Sequence, residues 1–376
     1  MKKNIVHFIT GLEVGGAEMM LFKLLSATDR AKVNLLVVSL MNKGPIGVRI
    51  EAIGIRVHSL NLSRKFPFSL SLFALWKMWG VLKEFKPAIL QGWMYHANIV
   101  VFFISLVFSE AKLYWNIRQT LYGMKRERLM TKIVIKAGRW LSKYCDGIIY
   151  NSKKSLEQHS KCGYSSKNAI VIPNGFDADL FSPFQYQAHL TKLKKQLKIP
   201  SEALIIGLVA RYHPMKGHSI FLEASLKLLD KFPDTHFVFV GRGVTCPSLS
   251  GIIEERCKSS FHFLEEREDI PELLSIVDIA VNSSIWGEGF SNAIGEAMLM
   301  GIPCVVTDVG DSAFIVGDCG VVVTPGDINS LVSGMLSLVD MSSDARRQLG
   351  HKSRVRMIDQ FLLEASSRKY GLLYGI

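Results

Sequence analysis

The stretch Trp286-Gly-Glu-Gly-Phe-Ser-Asn-Ala-Ile-Gly-Glu-Ala-Met-Leu-Met-Gly-Ile-Pro-Cys-Val-Val-Thr-Asp-Val-Gly-Asp311 sets the reading of the whole chain. Gly287 and Gly289 permit a tight turn. A helix then begins near Asn292, ends at Gly301 and is stopped by Pro303. A short apolar strand follows, Cys304–Thr307, and another Gly-containing turn. Strand, turn and helix in this order are the unit of a parallel sheet covered by helices on both faces. The start of that helix also offers unpaired backbone N–H groups and a partial positive charge, which together suit an anion.

Outward from this block the same alternation recurs. Leu204–Ala210, His236–Gly241, Phe261–Leu264, Ile279–Asn282 and Gly320–Val323 complete a series of strands. An earlier series runs through Ile5–Thr10, Val33–Leu40, Arg56–Leu60, Ala88–Gln91, Leu113–Ile117 and Gly147–Asn151, with a helix expected from about Ala17 to Ala27. The predicted fold class is α/β, with two doubly wound domains. Residues 1–180 form the first, 181–200 a Pro- and Lys-containing linker, and 201–355 the second. Residues 356–376 are a final helix expected to pack back on the first domain. Two such domains in tandem predict a cleft at the carboxyl ends of their strands.

Composition narrows the function. At 376 residues the chain is long enough for two cores, and its six cysteines show no CxxC pair and no metal-ligand spacing. Ordinary reduced thiols in a cytoplasmic protein are expected. The opening MKKNIVHFITG has too few apolar residues for a signal-peptide core, and neither Phe66–Leu82 nor Ile99–Phe108 reads as a membrane span. Charge is uneven: residues 1–180 hold 26 Lys and Arg against 11 Asp and Glu, and the remainder 19 against 22. A basic half attracts nucleic acid, anionic lipid or phosphorylated substrates. No zinc-finger or RNP pattern supports nucleic acid. Phe66, Phe68, Phe73, Trp76 and Trp79, interleaved with Lys77, Lys83 and Lys86, suit a membrane interface or equally a core helix with a solvated Lys face.

The candidate chemistry lies at strand ends. Glu288 is on the loop and Glu296 about a turn into the helix. Glu296 misses the capping-box position after Asn292 by one residue, although a first-turn Glu is favoured by the helix dipole in any case. In LIIGLVARYHPMKGHSIFLEA, Arg211 follows a strand and Lys216-Gly217 opens the next helix, and two cations there suit a diphosphate. Neither GxxxxGK[ST] nor GxGxxG is present.

The block EGFSNAIGE resembles the paired-glutamate signature of retaining glycosyltransferases of family 4, the group 1 transferases of GT-B fold. The resemblance covers nearly the whole chain and is strongest over residues 204–326. It implies that Glu296 holds the ribose hydroxyls of a sugar nucleotide and that Glu288 lies beside the donor sugar. Backbone N–H groups of Gly289, Phe290, Ser291 and Asn292 would meet sugar and diphosphate, and Arg211 and Lys216 would bind the diphosphate. In GLEVGGAEMMLFKLL, Gly15 and Gly16 would approach the donor phosphates. In Trp93-Met-Tyr-His-Ala-Asn98, His96 would contact the donor sugar near the reacting carbon. Gly241 would pack close to the nucleotide, and Leu264 to Asp269 would meet the base. Glu288, His96, Arg211 and Lys216 are thus the implied catalytic set, and Arg118 is a candidate for an acceptor phosphate. Asp311 replaces a frequent second glycine, and Glu265-Glu266-Arg267 a Gly-containing turn.

The resemblance implies transfer of a sugar from a nucleoside-diphosphate sugar, UDP-linked in preference to GDP-linked, to a hydroxyl acceptor with retention of configuration. No metal is expected: Asp177-Ala-Asp179 spells Asp-x-Asp but falls in a turn, IPNGFDADLF. The basic first domain would face a lipid-linked or glycan acceptor at the anionic inner surface of the plasma membrane, in bacterial surface polysaccharide assembly. The alternative is a sugar-nucleotide epimerase of the same fold, which would need no acceptor.

Overall fold

The computed structural model describes residues 2–62, 72–121 and 129–376. The chain forms two compact units, Met1–Gly175 with Leu363–Ile376, and Phe176–Leu362.

The first unit is built on β1 (Lys3–Ile9), β2 (Val33–Ser39), β3 (Arg56–Ser59), β4 (Ile89–Trp93), β5 (Lys112–Ile117), β6 (Gly147–Tyr150) and β7 (Ala169–Val171). Among the described residues these make one parallel sheet in the order β3-β2-β1-β4-β5-β6-β7. The central strand β4 is buried at every residue, as a strand covered on both faces must be. One face packs under the helices Met94–Ser105 and Leu129–Leu141, with Met78 and Leu82 of helix Leu72–Phe85. The helices Gly16–Ala27, Gly44–Ala52 and Leu363–Tyr374 cover the other. Strand β7 escaped the sequence reading because it is a three-residue edge strand with only half-buried side chains.

The second unit holds β8 (Leu204–Val209), β9 (Thr235–Val240), β10 (Phe261–Leu264), β11 (Ile279–Asn282), β12 (Cys304–Thr307) and β13 (Gly320–Val323), all parallel, in the order β10-β9-β8-β11-β12-β13. Each sheet has a topological switch point where the chain reverses its direction of winding. It lies between β1 and β4 in the first unit and between β8 and β11 in the second.

The structure moves the expected domain boundary. The first unit ends at Gly175, not 180. Residues 181–200 are not a free linker, since Phe181, Leu193 and Ile199 are buried in the second unit's core. Lys and Pro interrupt that stretch in sequence, but Phe181, Leu193 and Ile199 turn inward. The final segment is two helices, Ser343–Phe361 and Leu363–Tyr374. They part at Leu362, an extended residue that bridges Phe176, and the Phe176 N–H donates to the Phe361 carbonyl at 3.0 Å. The returning helix therefore begins at Leu363 rather than 356, and it packs on helix Gly16–Ala27.

The cysteines are free thiols. Among the described residues no helix is long and apolar enough to cross a membrane. Phe66 and Phe68 lie outside the described residues, as do the side chains of Phe73, Trp76 and Lys77.

Candidate active site

In the second unit the candidate residues gather at the switch point, on loops leaving the adjacent strands β8 and β11. After β8 comes Arg211, exposed, then the turn Pro214–Lys216 and Gly217. Gly217 has φ 65°, and a Cβ there would lie 2.1 Å from the Ser283 carbonyl oxygen. Glycine thus lets the Lys216 loop close on the loop after β11. That contact is held by the Ser283 hydroxyl, which donates to the Lys216 carbonyl at 2.9 Å, and by the Ile285 N–H, which donates to the Met215 carbonyl at 2.7 Å.

The closure brings Lys216 onto Glu288 as an ion pair, and the Ser284 hydroxyl donates to the same carboxylate oxygen at 2.7 Å. Burial alone would push the Glu288 carboxyl up. Lys216, the Ser284 hydroxyl and, further off, Arg211 more than reverse this and hold it below the usual carboxylate range. The site is therefore a buried carboxylate with a partly open ammonium beside it and an exposed guanidinium nearby.

Helix Asn292–Leu299 starts immediately after this loop. Its N-cap, Ser291, makes no side-chain cap, and its hydroxyl instead accepts from the Asn282 side-chain amide at 3.1 Å. Gly289 and Asn292 bracket the turn, and the Gly289 carbonyl accepts from the Asp311 N–H at 2.9 Å. Phe290 turns its ring into the core against Phe176 and Phe361, so only its backbone remains for a ligand. Glu296 is half-buried within the helix. Asp311, which stands where a second glycine was expected, is itself buried beneath this loop.

The neighbouring strand ends are knitted into the same rim. Gly241 has φ 145°, and its absent Cβ would strike the Ala210 carbonyl at 2.3 Å, while its N–H donates to the Leu264 carbonyl at 2.9 Å. Glu265 accepts from the Gly243 N–H at 3.0 Å and from the Thr245 hydroxyl. The missing glycine turn after Leu264 is thus replaced by a carboxylate that ties two loops together. Arg267 pairs with Asp269.

The first unit presents a second set at its own switch point. Gly15 caps helix Gly16–Ala27 in extended conformation with no side-chain cap, and a Cβ on it would lie 2.4 Å from the Glu18 carboxylate. On the adjacent strand, β4 passes into helix Met94–Ser105, and His96 is half-buried in its first turn. Burial lowers the His96 pKa, so its imidazole is neutral near pH 7.

Arg118 follows β5 and is buried. Its guanidinium donates to Asn116 at 3.2 Å, to Tyr370 at 3.4 Å and to Asn174, and lies 5.3 Å over the Trp93 ring. The candidate acceptor residue is thus engaged within its own unit. Asp177 Oδ1 accepts from the backbone N–H groups of Asp179 and Leu180, a local turn. Among the described residues no group of three or more His, Cys, Asp or Glu could hold a metal ion.

Sequence reasoning missed Ser283 and Ser284. The signal was there, two hydroxyls directly after the buried strand ending at Asn282, where strand ends face the site.

Comparison with known proteins gives this geometry a family. Residues 14–180 match the profile of "Glycosyltransferase Family 4" and residues 203–341 that of "Glycosyl transferases group 1". The chain belongs to the family 4, group 1 glycosyltransferases. Its fold is GT-B. The chain is similar to HepE of Anabaena in complex with UDP, with TM-score 0.84 and 20% identity over the whole of both chains. It is 29% identical to the UDP-Gal:alpha-D-GlcNAc-diphosphoundecaprenol alpha-1,3-galactosyltransferase of Escherichia coli, over 48% of this chain and 49% of that one. It is 27% identical to the lipopolysaccharide core biosynthesis mannosyltransferase LpsB of Rhizobium meliloti, over 54% and 58%. The match spans about half the length of these curated relatives. Both profiles of this group 1 chain include the switch-point residues of the unit they cover: Gly15, Gly16 and His96 in one, Arg211, Lys216, Glu288 and Glu296 in the other.

Proposed function

We propose that this family 4 chain transfers a glycosyl group from a nucleoside-diphosphate sugar to a hydroxyl of a lipid-linked or glycan acceptor, with retention of configuration. The observation that carries the reading is the Lys216–Glu288–Ser284 cluster at the second unit's switch point, with Arg211 beside it. Ligands of open α/β sheets bind there.

The departing group is a diphosphate, so the barrier depends on neutralising charge as the glycosidic bond breaks. Arg211, Lys216 and the amides of 289–292 supply that neutralisation, and losing one such donor typically costs about 3 kcal/mol. Glu288, kept ionised, accepts from hydroxyls of the transferred sugar, and Glu296 from the ribose. The neutral His96 is suited to hydrogen-bond an uncharged sugar rather than to pair with phosphate. The acceptor hydroxyl attacks from the face the diphosphate leaves, and a phosphate oxygen takes its proton. No step in this scheme calls on a metal ion.

UDP is favoured as the nucleotide because solved relatives of the same fold hold UDP, among them one with UDP-glucose. A role in bacterial surface polysaccharide assembly, at the inner face of the plasma membrane, is supported by the diphosphoundecaprenol substrate of the E. coli relative, by the lipopolysaccharide core biosynthesis of the Rhizobium relative and by the basic first 180 residues.

The test is a thermal-shift panel of UDP-, GDP- and ADP-sugars, followed by transfer from the best donor to extracted lipid-linked glycans and NMR of the new anomeric centre. A donor that stabilises the protein should yield a product of unchanged configuration. An epimerised free donor with no acceptor consumed would replace this reading with an isomerase.

A further inference from the structure

We propose that the outer face of helix Leu129–Leu141, together with the end of helix Met94–Ser105, is the surface by which the first unit docks on an anionic lipid bilayer. The inference rests on the lipid-linked acceptor of the preceding section and adds the part of the chain that meets the membrane.

The helix reads LMTKIVIKAGRWL and continues as Ser142-Lys-Tyr144. Val134, Ile135 and Gly138 point into the first unit's core. Leu129, Ile133, Lys136 and Trp140 recur at intervals of four, three and four, so they form one stripe on the opposite side. That stripe is bare: Leu129 is 72% exposed, Ile133 47% and Trp140 65%, with Tyr144 at 62% just beyond. A core helix would have covered these side chains, and Trp is seldom left open without a partner.

The patch continues onto the neighbouring helix. Phe103, Leu106 and Val107 are each more than half exposed. The Tyr144 ring stands 5.9 Å from that of Phe102, and Trp79 lies 5.2 Å from Phe108. The first contact joins helix Met94–Ser105 to the turn after helix Leu129–Leu141, and the second extends the apolar surface to helix Leu72–Phe85.

The occupant follows from charge. Lys136 stands within the stripe, and Arg139 and Lys143 are exposed beside it. Arg139 lies 5.5 Å over the Trp140 ring and Lys143 5.1 Å over that of Tyr144. Residues 129–145 contain no Asp or Glu. A second copy docking by the same face would set cations against cations. Aromatic and aliphatic side chains level with Lys and Arg heads match a bilayer interface, where rings sit at the headgroup boundary and cations meet lipid phosphates.

The experiment uses the full chain with vesicles of phosphatidylcholine alone and of phosphatidylcholine with phosphatidylglycerol, read by co-sedimentation. The wild type should pellet only with phosphatidylglycerol and be released by salt. Trp140→Glu should abolish pelleting. Lys136→Gln and Arg139→Gln should each weaken it about fivefold. All three substitutions are on the surface and should leave the melting temperature, and the melting shift produced by UDP, unchanged. Pelleting of Trp140→Glu at the wild-type level overturns the proposal, as does a wild type indifferent to phosphatidylglycerol. A dimer dissolved by Trp140→Glu with vesicle binding intact would assign the face to a second copy instead. Loss of the UDP shift in the wild type, with vesicle binding retained, would overturn the donor reading and leave this surface standing.

Discussion

Lys216 and Glu288 leave adjacent strands of the second sheet and meet as an ion pair whose two halves differ in exposure, 17% of the lysine side chain against 9% of the glutamate. The ammonium is therefore the more open half, while the carboxylate is held from within by the Ser284 hydroxyl. The exposed Arg211 is close enough to lower the Glu288 pKa as well.

Removing the cation should be costly in two separable ways. Lys216→Ala should lower turnover about 100- to 1,000-fold, the usual range for a lost oxyanion donor. It should also cost about 1–3 kcal/mol of stability, because Glu288 is left buried with one hydroxyl partner. Adding Glu288→Gln to that variant should recover part of the stability and none of the turnover. Urea unfolding of the two single variants and the double gives the coupling energy. Simple additivity of the two losses would show that the pair does not act as a unit.

Gly217→Ala should be far more damaging than an ordinary glycine substitution at positive φ. The added Cβ has the Ser283 carbonyl 2.1 Å away, so the loop carrying Lys216 must open. Gly326→Ala serves as the control, with φ 76° but its nearest neighbour at 3.7 Å. The control should lose about 1 kcal/mol from backbone strain alone. Gly217→Ala should lose roughly 2–4 kcal/mol and most of its donor-dependent melting shift. Equal losses in the two variants would mean that the β8 and β11 loops do not need to touch.

Much of this arrangement was legible before any coordinates. The strands from β8 to β13 were placed within a residue of their observed ends, because short apolar runs bounded by Gly, Pro and Asp have few alternatives. The Glu288, Arg211 and Lys216 loops stood out as charge set among glycines at strand ends. Three things were not legible. The passage at Gly175 was hidden because the apolar residues after it alternate first with Asp and then with Pro and Lys, and only packing shows which core they join. The break at Leu362 carries no proline or glycine, and it is imposed by pairing with Phe176. The engagement of Arg118 depends on Tyr370, which is 252 residues away.

Acid should begin to destabilise the protein before its carboxylates titrate. His7 is lowered to about 3, and His159, His218 and His262 to about 4, in each case chiefly by burial. These histidines fold as neutral groups, and the unfolded chain binds protons at about 6.5. Their contribution is therefore fully present above 6.5 and lost as the pH falls from there towards 4, or towards 3 for His7. The Glu288 contribution has the same sign but begins to be lost only below the unfolded carboxylate value. For a single histidine the slope is about 1.4 kcal/mol per pH unit within that window. Replacing His159 by Gln should make the fall between pH 6.5 and 5 shallower by about one proton, measured by urea unfolding at several pH values. An unchanged slope would mean that His159 is already solvated.

Arg118 separates a structural cation from an acceptor-binding one. Its guanidinium is shared among Asn116, Asn174 and Tyr370 and stacked on Trp93, and burial lowers its pKa while Tyr370 and then Glu18 oppose the shift. A buried cation held mainly by neutral partners is stable only while its planar fork is satisfied, which a lysine cannot do. Arg118→Lys should therefore cost about 2–4 kcal/mol, and Tyr370→Phe about 1 kcal/mol for one lost hydroxyl. The decisive readout is kinetic. If the arginine only holds strand β5, Asn174 and the returning helix together, Arg118→Lys below its melting point should keep the wild-type KM for acceptor. A KM raised tenfold or more, with donor binding unchanged, would show that the guanidinium leaves Tyr370 and Asn174 to take an acceptor phosphate, because tight internal bonding alone cannot alter acceptor affinity and spare the donor.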